Sequence, residues 1–188
     1  MPDPEKVSRI RKDHGLNQGK RLITASVGGG NVGAPLLKAV VQACREVLSG
    51  KNLLLRAFTG PYMDQKDQDD LKSFENDRIR IEEFTPDFIS LLGASDLSVS
   101  MAGYNTCMNI VAAKVPALVR PFDQNREQWD RAVKLAGFAP ITLLKDQDLE
   151  PAILAQRMEA ALHMQTGPPG PKLDLDGAVN TMEWMRSL

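Results

Sequence analysis

The feature that most constrains this chain is a six-fold alternation of short apolar runs with amphipathic stretches. The apolar runs predict buried strands at residues 22–27, 53–58, 79–84, 96–100, 117–121 and 141–144. Between and after them, apolar residues recur every three or four positions, which predicts helices at residues 36–48, 65–74, 86–92, 105–113, 126–136 and from 148 or 150 to about 163. Continuous apolar strands separated by such helices indicate a parallel sheet covered on both faces. We therefore predict an α/β fold, a doubly wound parallel sheet of about six strands.

Two of these helices carry more detailed expectations. Thr85 stands before Pro86, a pair that predicts a helix start at that point. In the helix at residues 126–136, the spacing predicts an inner face of Trp129, Ala132, Val133 and Ala136. The segments outside the core are residues 1–20, which are charged with a possible half-helix, and residues 166–188, a Pro/Gly turn followed by a terminal helix near 178–185.

Composition limits the cellular compartments and the classes of binding partner that this chain suits. Lys plus Arg number 23 against 24 Asp plus Glu, so no strong field attracts nucleic acid or an anionic membrane. The 2 cysteines favour small core residues over a disulfide framework, and the 2 histidines exclude a His-based zinc cluster. No run of 18 apolar residues is present, and the first 20 residues lack the pattern of a secretion signal. We expect a cytoplasmic protein with no metal and no cofactor.

The loops that follow the strands are the places to look for a ligand, because ligands of parallel sheets bind at the carboxyl ends of the strands. Residues 28–33 read G-G-G-N-V-G and open a helix, where free N–H groups favour a phosphate. A turn needed only for tight passage from strand to helix explains the glycines equally well. The spacing also fits the dinucleotide pattern G-x-G-x-x-G, but the second strand ends in L-R-A-F without the acid that binds ribose. Arg56 there could meet a 2′-phosphate, although one Arg at a strand end is more often solvated, and no Lys-Ser or Lys-Thr completes a P-loop.

A second loop of the same kind follows the fourth strand. Residues 102–106 read A-G-Y-N-T, and Asn105 or Thr106 could simply cap the helix that begins there. Two glycine-containing loops at helix amino ends in one sheet favour a different interpretation, because together they could hold the two phosphates of a diphosphate.

Three further loops carry weaker signals. Residues 121–128 gather amide and carboxylate side chains, which suit sugar hydroxyls but also suit a solvated helix start. Residues 83–87 offer exposed backbone amides. The acidic residues of the loop at 60–70 lack EF-hand spacing, so a solvated helix is the better interpretation. His14 and His163 lie away from all of these loops and are expected at the surface.

Three stretches in this order resemble a known family. They are A-S-D-L-S-V-S-M-A-G-Y-N-T at residues 94–106, V-P-A-L-V-R-P-F at 115–122 and R-E-Q at 126–128. Together they resemble the carboxyl-terminal domain of family 28 glycosyltransferases, which include the enzyme that adds GlcNAc to the lipid-linked peptidoglycan precursor. The likeness covers residues 21 to 162, and L-D-L-D-G-A at 173–178 resembles a bacterial branch of predicted glycosyltransferases.

The resemblance implies one half of a GT-B fold, a Rossmann-like domain that binds a nucleotide sugar, usually a UDP-sugar, without metal or other cofactor. It implies a nucleotide-sugar site and no catalytic residue in this half. Phosphates would lie near Gly29, Gly30 and Asn31 on one side and near Gly103, Tyr104, Asn105 and Thr106 on the other. The backbone at Thr85 would read the uracil edge, and Glu127 and Gln128 would meet the sugar. The position of Asn109 is typically Glu in the family, where it holds the ribose, so Asn departs from the pattern.

The same resemblance implies a missing partner. In such enzymes the acceptor site belongs to an amino-terminal domain, which this chain does not contain. We therefore expect residues 1–20 to be an interdomain linker, residues 21–165 the nucleotide-sugar-binding domain and residues 166–188 a turn and terminal helix. The domain would transfer a hexose or N-acetylhexosamine only with its other half, in cis or as a separate subunit, and would associate with a membrane only peripherally, through that half. The alternatives are a non-catalytic nucleotide-sugar-binding subunit and an NAD(P)-binding oxidoreductase domain.

Overall fold

A computed structural model describes residues 1–122 and 125–164, together with positions 182 and 184–186. The strands are β1 Arg21–Ser26, β2 Leu53–Phe58, β3 Ile79–Glu82, β4 Leu97–Met101, β5 Ala117–Arg120 and β6 Ile141–Leu143. They form one sheet in the order β3-β2-β1-β4-β5-β6, and every neighbouring pair is parallel. The predicted doubly wound parallel sheet is confirmed.

Seven α-helices lie within residues 1–122 and 125–164. They are α1 Pro4–Asp13, α2 Ala34–Gln42, α3 Gln65–Lys72, α4 Phe88–Ala94, α5 Tyr104–Ala113, α6 Arg126–Leu135 and α7 Pro151–Leu162. A π-helical turn, Ala43–Val47, continues α2. Apolar side chains of α2 and α7 pack on one face of the sheet, and those of α5 and α6 pack on the other. None of the helices in the described part of the chain has the length and apolar character needed to cross a membrane.

The amino-terminal segment forms a complete helix where only a half-helix was expected. The Asp3 carboxylate accepts hydrogen bonds from the backbone N–H groups of Glu5 and Lys6, which caps α1. Arg11 donates to the Ala94 carbonyl at 2.8 Å, and Lys6 pairs with Asp87, so α1 lies against α4 and its preceding loop. The turn predicted at 166–171 lies outside the described residues, and of the predicted terminal helix only positions 182, 184 and 185 are described, all helical.

Two local predictions were wrong. The helix predicted from Pro86 begins at Phe88, because the Thr85 hydroxyl accepts from the Asp87 N–H at 3.3 Å and forms a turn ahead of the helix. The predicted inner face of α6 is rotated: Trp129, Val133 and Ala136 are exposed. Of the four predicted residues only Ala132 is buried; Leu135 is buried as well, and the side chains of Gln128 and Arg131 beside them are half-buried.

The direction of chain progression reverses between β1 and β4. From β1 the chain moves outward to β2 and β3, and then crosses back to β4 on the other side. Ser26 pairs in register with Ser100, so β1 and β4 end at nearly the same level. The loops that follow these two strands are therefore neighbours at the carboxyl edge of the sheet, the place where parallel sheets of this order bind ligands.

Candidate functional site

The glycine turn after β1 is held by the loop after β2. A Cβ on Gly30, whose φ is +100°, would lie 2.4 Å from the Thr59 carbonyl oxygen. A Cβ on Gly60, whose φ is +73°, would lie 2.1 Å from the Gly28 carbonyl oxygen. The Tyr62 N–H donates to the Gly29 carbonyl at 2.9 Å. Close packing of two backbones thus explains why these two positions need glycine, which is more than a tight passage from β1 to α2 would require.

The amino end of α2 follows the turn at this edge of the sheet, and no side chain caps the helix there. Gly33 is the N-cap residue and makes no side-chain hydrogen bond, and the Leu37 N–H closes the first helical bond to the Gly33 carbonyl at 3.2 Å. Gly29 and Asn31 of the turn are exposed. Uncapped N–H groups and the positive end of the helix dipole attract an anion. Gly29 and Asn31 therefore lie exposed beside this helix end, whereas Gly30 is buried and its N–H donates to the Val27 carbonyl at 3.4 Å.

The loop after β4 delivers a second helix amino end next to the first. Gly103 is the N-cap of α5, again without a side-chain hydrogen bond. Tyr104 is the first helical residue, so Asn105 and Thr106 lie inside the first turn and neither is the N-cap; the capping alternative was wrong. Asn105 is exposed, whereas Thr106 is buried. Two uncapped helix amino ends therefore meet at neighbouring strands.

Asn109 lies on α5 one turn beyond Asn105 and is half-buried. The spacing of four residues places the two amide side chains on the same side of the helix. Since Asn105 belongs to the first turn at the carboxyl edge, Asn109 lies deeper along the same surface.

The loop after β5 is organised by two amide side chains. Asn125 caps α6 by accepting from the Gln128 N–H at 3.2 Å, and the Gln128 Oε1 accepts from the Phe122 N–H at 3.0 Å. Asp123 and Gln124 lie outside the described residues. The helix-start alternative is thus correct for Asn125. The Glu127 side chain is 78% exposed, and it pairs with Arg131.

The loop after β3 joins this edge through the loop after β2. The Gly60 N–H donates to the Glu83 carbonyl at 3.0 Å. Phe84 is exposed and Thr85 is half-exposed, so the backbone around Thr85 lies at the rim of the same edge. The five groups predicted for the site therefore stem from loops at one edge of the sheet.

One further residue at this edge, Arg131, was not predicted from the sequence. Arg131 on α6 lies over the Tyr104 ring, with its Cζ 5.2 Å from the ring centroid, and it donates to the Ala102 carbonyl at 3.4 Å. The only sequence signal for it is the four-residue spacing from Glu127, which predicts an ion pair on the helix surface and says nothing about the loop after β4.

Other candidates have structural roles. Arg56 makes two hydrogen bonds to the Glu82 carboxylate, at 2.8 and 2.7 Å, and lies over the Phe58 ring, so it is not a solvated strand end. In the acidic loop, Asp67 and Asp70 pair with Lys38. Within the described ranges, no three His, Cys, Asp or Glu side chains are grouped as a metal site would require.

Burial shifts the pKa values of one histidine and two cysteines outside this edge. Half-buried His14 has a lowered pKa because desolvation disfavours its charged form, and the Arg56 charge acts in the same direction. Burial raises the pKa of the Cys44 thiol to about 12 and also raises that of Cys107, and neither cysteine forms a disulfide. These cysteines are small core residues, as predicted.

Residues 24–169 match the sequence model of the Glycosyltransferase family 28 C-terminal domain. Two relatives carry the same name, UDP-N-acetylglucosamine--N-acetylmuramyl-(pentapeptide) pyrophosphoryl-undecaprenol N-acetylglucosamine transferase. The one from Methylococcus capsulatus is 27% identical over 158 residues, which are 83% of this chain and 44% of the relative. The one from Carboxydothermus hydrogenoformans is 30% identical over 149 residues, which are 75% of this chain and 38% of the relative. The chain thus spans less than half the length of these relatives.

Solved structures share the fold. MurG of Acinetobacter baumannii superposes with a TM-score of 0.59 and 17% identity, over 90% of this chain and 53% of that protein. The UDP-GlcNAc 2-epimerase of Methanocaldococcus jannaschii, solved in complex with UDP-GlcNAc and UDP, superposes with a TM-score of 0.62 and 15% identity, over 96% of this chain and 49% of that one. At this level of identity the superpositions show a shared architecture.

Proposed function

The chain belongs to glycosyltransferase family 28, of which it carries the C-terminal domain, and we propose that it binds the UDP-sugar donor of a transferase. That enzyme would move a hexose or an N-acetylhexosamine from UDP to an acceptor. The observation that carries the proposal is the meeting of two uncapped helix amino ends, those of α2 and α5, at the point where the sheet order reverses.

The diphosphate would lie between these two helices. Each amino end offers backbone N–H groups and a positive dipole end to one phosphate. Gly29 and Asn31 would face the diphosphate from the β1 side, with the buried Gly30 behind them in the turn, and Gly103, Tyr104 and Asn105 would face it from the β4 side. Thr106 lies in the first turn of α5, where its hydroxyl would donate to a phosphate oxygen. The backbone N–H groups provide the attraction that a divalent cation provides in other nucleotide sites, so we propose binding without metal.

The uridine and the sugar would extend to opposite sides of the diphosphate. On the uridine side, the backbone at Thr85 would meet the uracil edge, and Asn109 would hold the ribose hydroxyls with its amide. On the other side, Glu127 and Gln128 at the start of α6 would meet the sugar. A carboxylate and an amide together accept from and donate to hydroxyl groups, which suits a neutral sugar.

The acceptor would belong to the part of the enzyme that this chain does not span. The matched relatives are more than twice as long as the aligned segment. We propose that the other half of the enzyme supplies the acceptor site, either in cis or as a partner subunit. We further propose that the enzyme is cytoplasmic and that any peripheral contact with a membrane is made through that other half. Residues 1–20, whose helix α1 packs against α4, would link the two halves of the enzyme. Residues 21–165 would form the binding domain, and residues 166–188 would follow it as a turn and terminal helix. The 188-residue chain alone would bind donor and transfer nothing.

A non-catalytic donor-binding subunit is the second candidate, and Asn109 favours it. Where the family resemblance implies a carboxylate at this position, an amide accepts a ribose hydroxyl more weakly, because hydrogen bonds to charged groups are about twice as strong. An assay of the complete protein for sugar transfer separates the two candidates, since only the transferase releases UDP in the presence of acceptor.

Calorimetry on the 188-residue chain tests donor binding itself. UDP and UDP-GlcNAc should bind with equal affinity in the presence and absence of EDTA, and NAD and ATP should bind more weakly or not at all. Tighter binding of NAD than of UDP would overturn the proposed function, and so would binding of UDP that EDTA abolishes.

A further inference from the structure

Arg131 lies where the loop after β4 meets the start of α6, and its guanidinium contacts both. It stacks over the Tyr104 ring at 5.2 Å and donates to the Ala102 carbonyl at 3.4 Å on the loop side. On the helix side it forms an ion pair with Glu127, four residues earlier. Its side chain is 17% exposed, although α6 lies at the surface.

The contact with Ala102 acts directly on the amino end of α5. The Ala102 carbonyl and the Gly103 N–H belong to one planar peptide unit, so a hydrogen bond that orients the carbonyl also orients the N–H. Gly103 is the N-cap of α5, and no side chain caps that helix. Arg131 therefore supplies an orienting contact at a helix end that lacks a cap of its own.

The contact with Glu127 acts on the other side of the same edge. Glu127 has an otherwise exposed side chain with many accessible rotamers, and pairing with the half-buried Arg131 restricts them. An arginine suits this double role because its planar fork presents several donors at fixed angles while its face stacks on an aromatic ring.

We propose that Arg131 is a positioning residue, which holds the Ala102–Gly103 peptide and the Glu127 carboxylate in one arrangement that a nucleotide sugar needs. The inference rests on the proposed function, because it takes the ligand to be a UDP-sugar that reaches from the α5 amino end to Glu127. Arg131 itself keeps its bonds to protein groups and does not contact the reacting atoms.

Calorimetry with two probes, UDP and UDP-GlcNAc, tests this role in the 188-residue chain. Arg131→Ala should weaken UDP-GlcNAc by about 10-fold and UDP by about 3-fold, because UDP loses only the oriented Gly103 amide whereas UDP-GlcNAc also loses the held carboxylate. A general loss of folding would change both affinities by the same factor. Arg131→Lys should not restore the UDP-GlcNAc affinity, because one ammonium group cannot reach Ala102 and Glu127 and also stack on Tyr104.

Arg126→Ala is the matched control on the same helix. Arg126 is 94% exposed, with its Nε 4.0 Å from Asp130, a surface pair that contributes little. This variant should bind both probes within about 2-fold of the unmodified chain. Arg131→Ala and Arg131→Lys variants that also stay within 2-fold for UDP-GlcNAc would overturn the positioning role.

A measurement on the ligand-free chain tests the role of Arg131 independently of the proposed function. If the unmodified chain binds neither probe, the proposed donor function fails, and the amide NMR resonance of Gly103 still reports on the contact. Arg131→Lys should shift that resonance and speed its hydrogen exchange, although Gly103 is 28 residues distant in sequence, and Arg126→Ala should leave both unchanged. If the Gly103 resonance and its hydrogen exchange are unchanged in Arg131→Lys, then Arg131 does not orient the Ala102–Gly103 peptide.

Discussion

Substitution of Gly60 by alanine should displace the glycine turn after β1, although that turn lies about thirty residues earlier in the sequence. The Gly60 φ of +73° costs an L-residue about 1–2 kcal/mol. The added Cβ would also lie 2.1 Å from the Gly28 carbonyl oxygen and 2.7 Å from the Gly29 carbonyl carbon. Both atoms are backbone, so relief requires a shift of the turn itself, with an overpacking cost of about 1–3 kcal/mol. We therefore expect Gly60→Ala to destabilise the chain by about 2–5 kcal/mol.

Thermal unfolding followed by circular dichroism measures this effect. For a chain of this size 1 kcal/mol corresponds to roughly 2–4 °C, so the Tm should fall by about 4–20 °C. Gly19→Ala is the matched control for backbone strain, since its φ is +81° but nothing lies within 4 Å of the added Cβ. Gly50→Ala controls for both terms, with open space and no positive φ. If Gly60→Ala loses no more stability than Gly19→Ala, the close approach of the two loops is refuted.

Three further predictions concern single side chains. Thr106→Val should weaken UDP by about 10-fold in calorimetry because a charge-assisted hydrogen bond is lost, while Thr106→Ser should retain it; equal affinities in all three chains would contradict the contact. Asn109→Glu should tighten UDP by about 5-fold and 2′-deoxy-UDP by less, and an equal change for both would show that Asn109 does not face the ribose. Burial raises the folded-state pKa of Cys44 from 9.0 to about 12, so the protonated thiol should stabilise the fold below pH 9, and this contribution should be lost between pH 9 and 12. In denaturant titrations, the free energy of unfolding of Cys44→Ala should therefore decline less over that range than that of the unmodified chain. An equal decline in both chains would contradict the pKa shift.

The sheet was predictable because a strand buried on both faces must be apolar throughout. The run at residues 53–58 matches β2 at both ends, and the glycine turn after β1 was visible from its composition. The close approach of Gly60 to Gly28 was not visible. It depends on how two loops from neighbouring strands pack, and no local pattern encodes that contact.

The face of α6 shows where hydrophobic periodicity misleads. Counting apolar residues selected Trp129 and Val133 for the interior, and both are exposed. The helix instead turns Gln128 and Arg131 partly inward, because their polar groups find partners on the loops: the Phe122 N–H for Gln128 and the Ala102 carbonyl for Arg131. Polar side chains with buried partners can occupy an inner face, and the candidate site is where this occurs.

The amino-terminal helix was underestimated for a related reason. The first 20 residues are charged, so they gave no apolar face long enough to indicate a docked helix. The structure docks α1 through polar contacts, the Lys6–Asp87 pair and the bond from Arg11 to the Ala94 carbonyl, supported by packing of Val7 and Ile10. Their partners lie more than 80 residues away in sequence, beyond the reach of local reasoning.

Amide NMR that maps bound UDP onto the 188-residue chain tests the proposed diphosphate site most directly. UDP should shift the resonances of Gly29, Gly30, Gly103 and Thr106 together, in the presence of EDTA. Amides at the opposite edge of the sheet, such as those of Leu53 and Ile79 at the amino ends of β2 and β3, should stay unchanged. Shifts confined to that opposite edge, or to only one of the two glycine loops, would contradict a diphosphate held between α2 and α5.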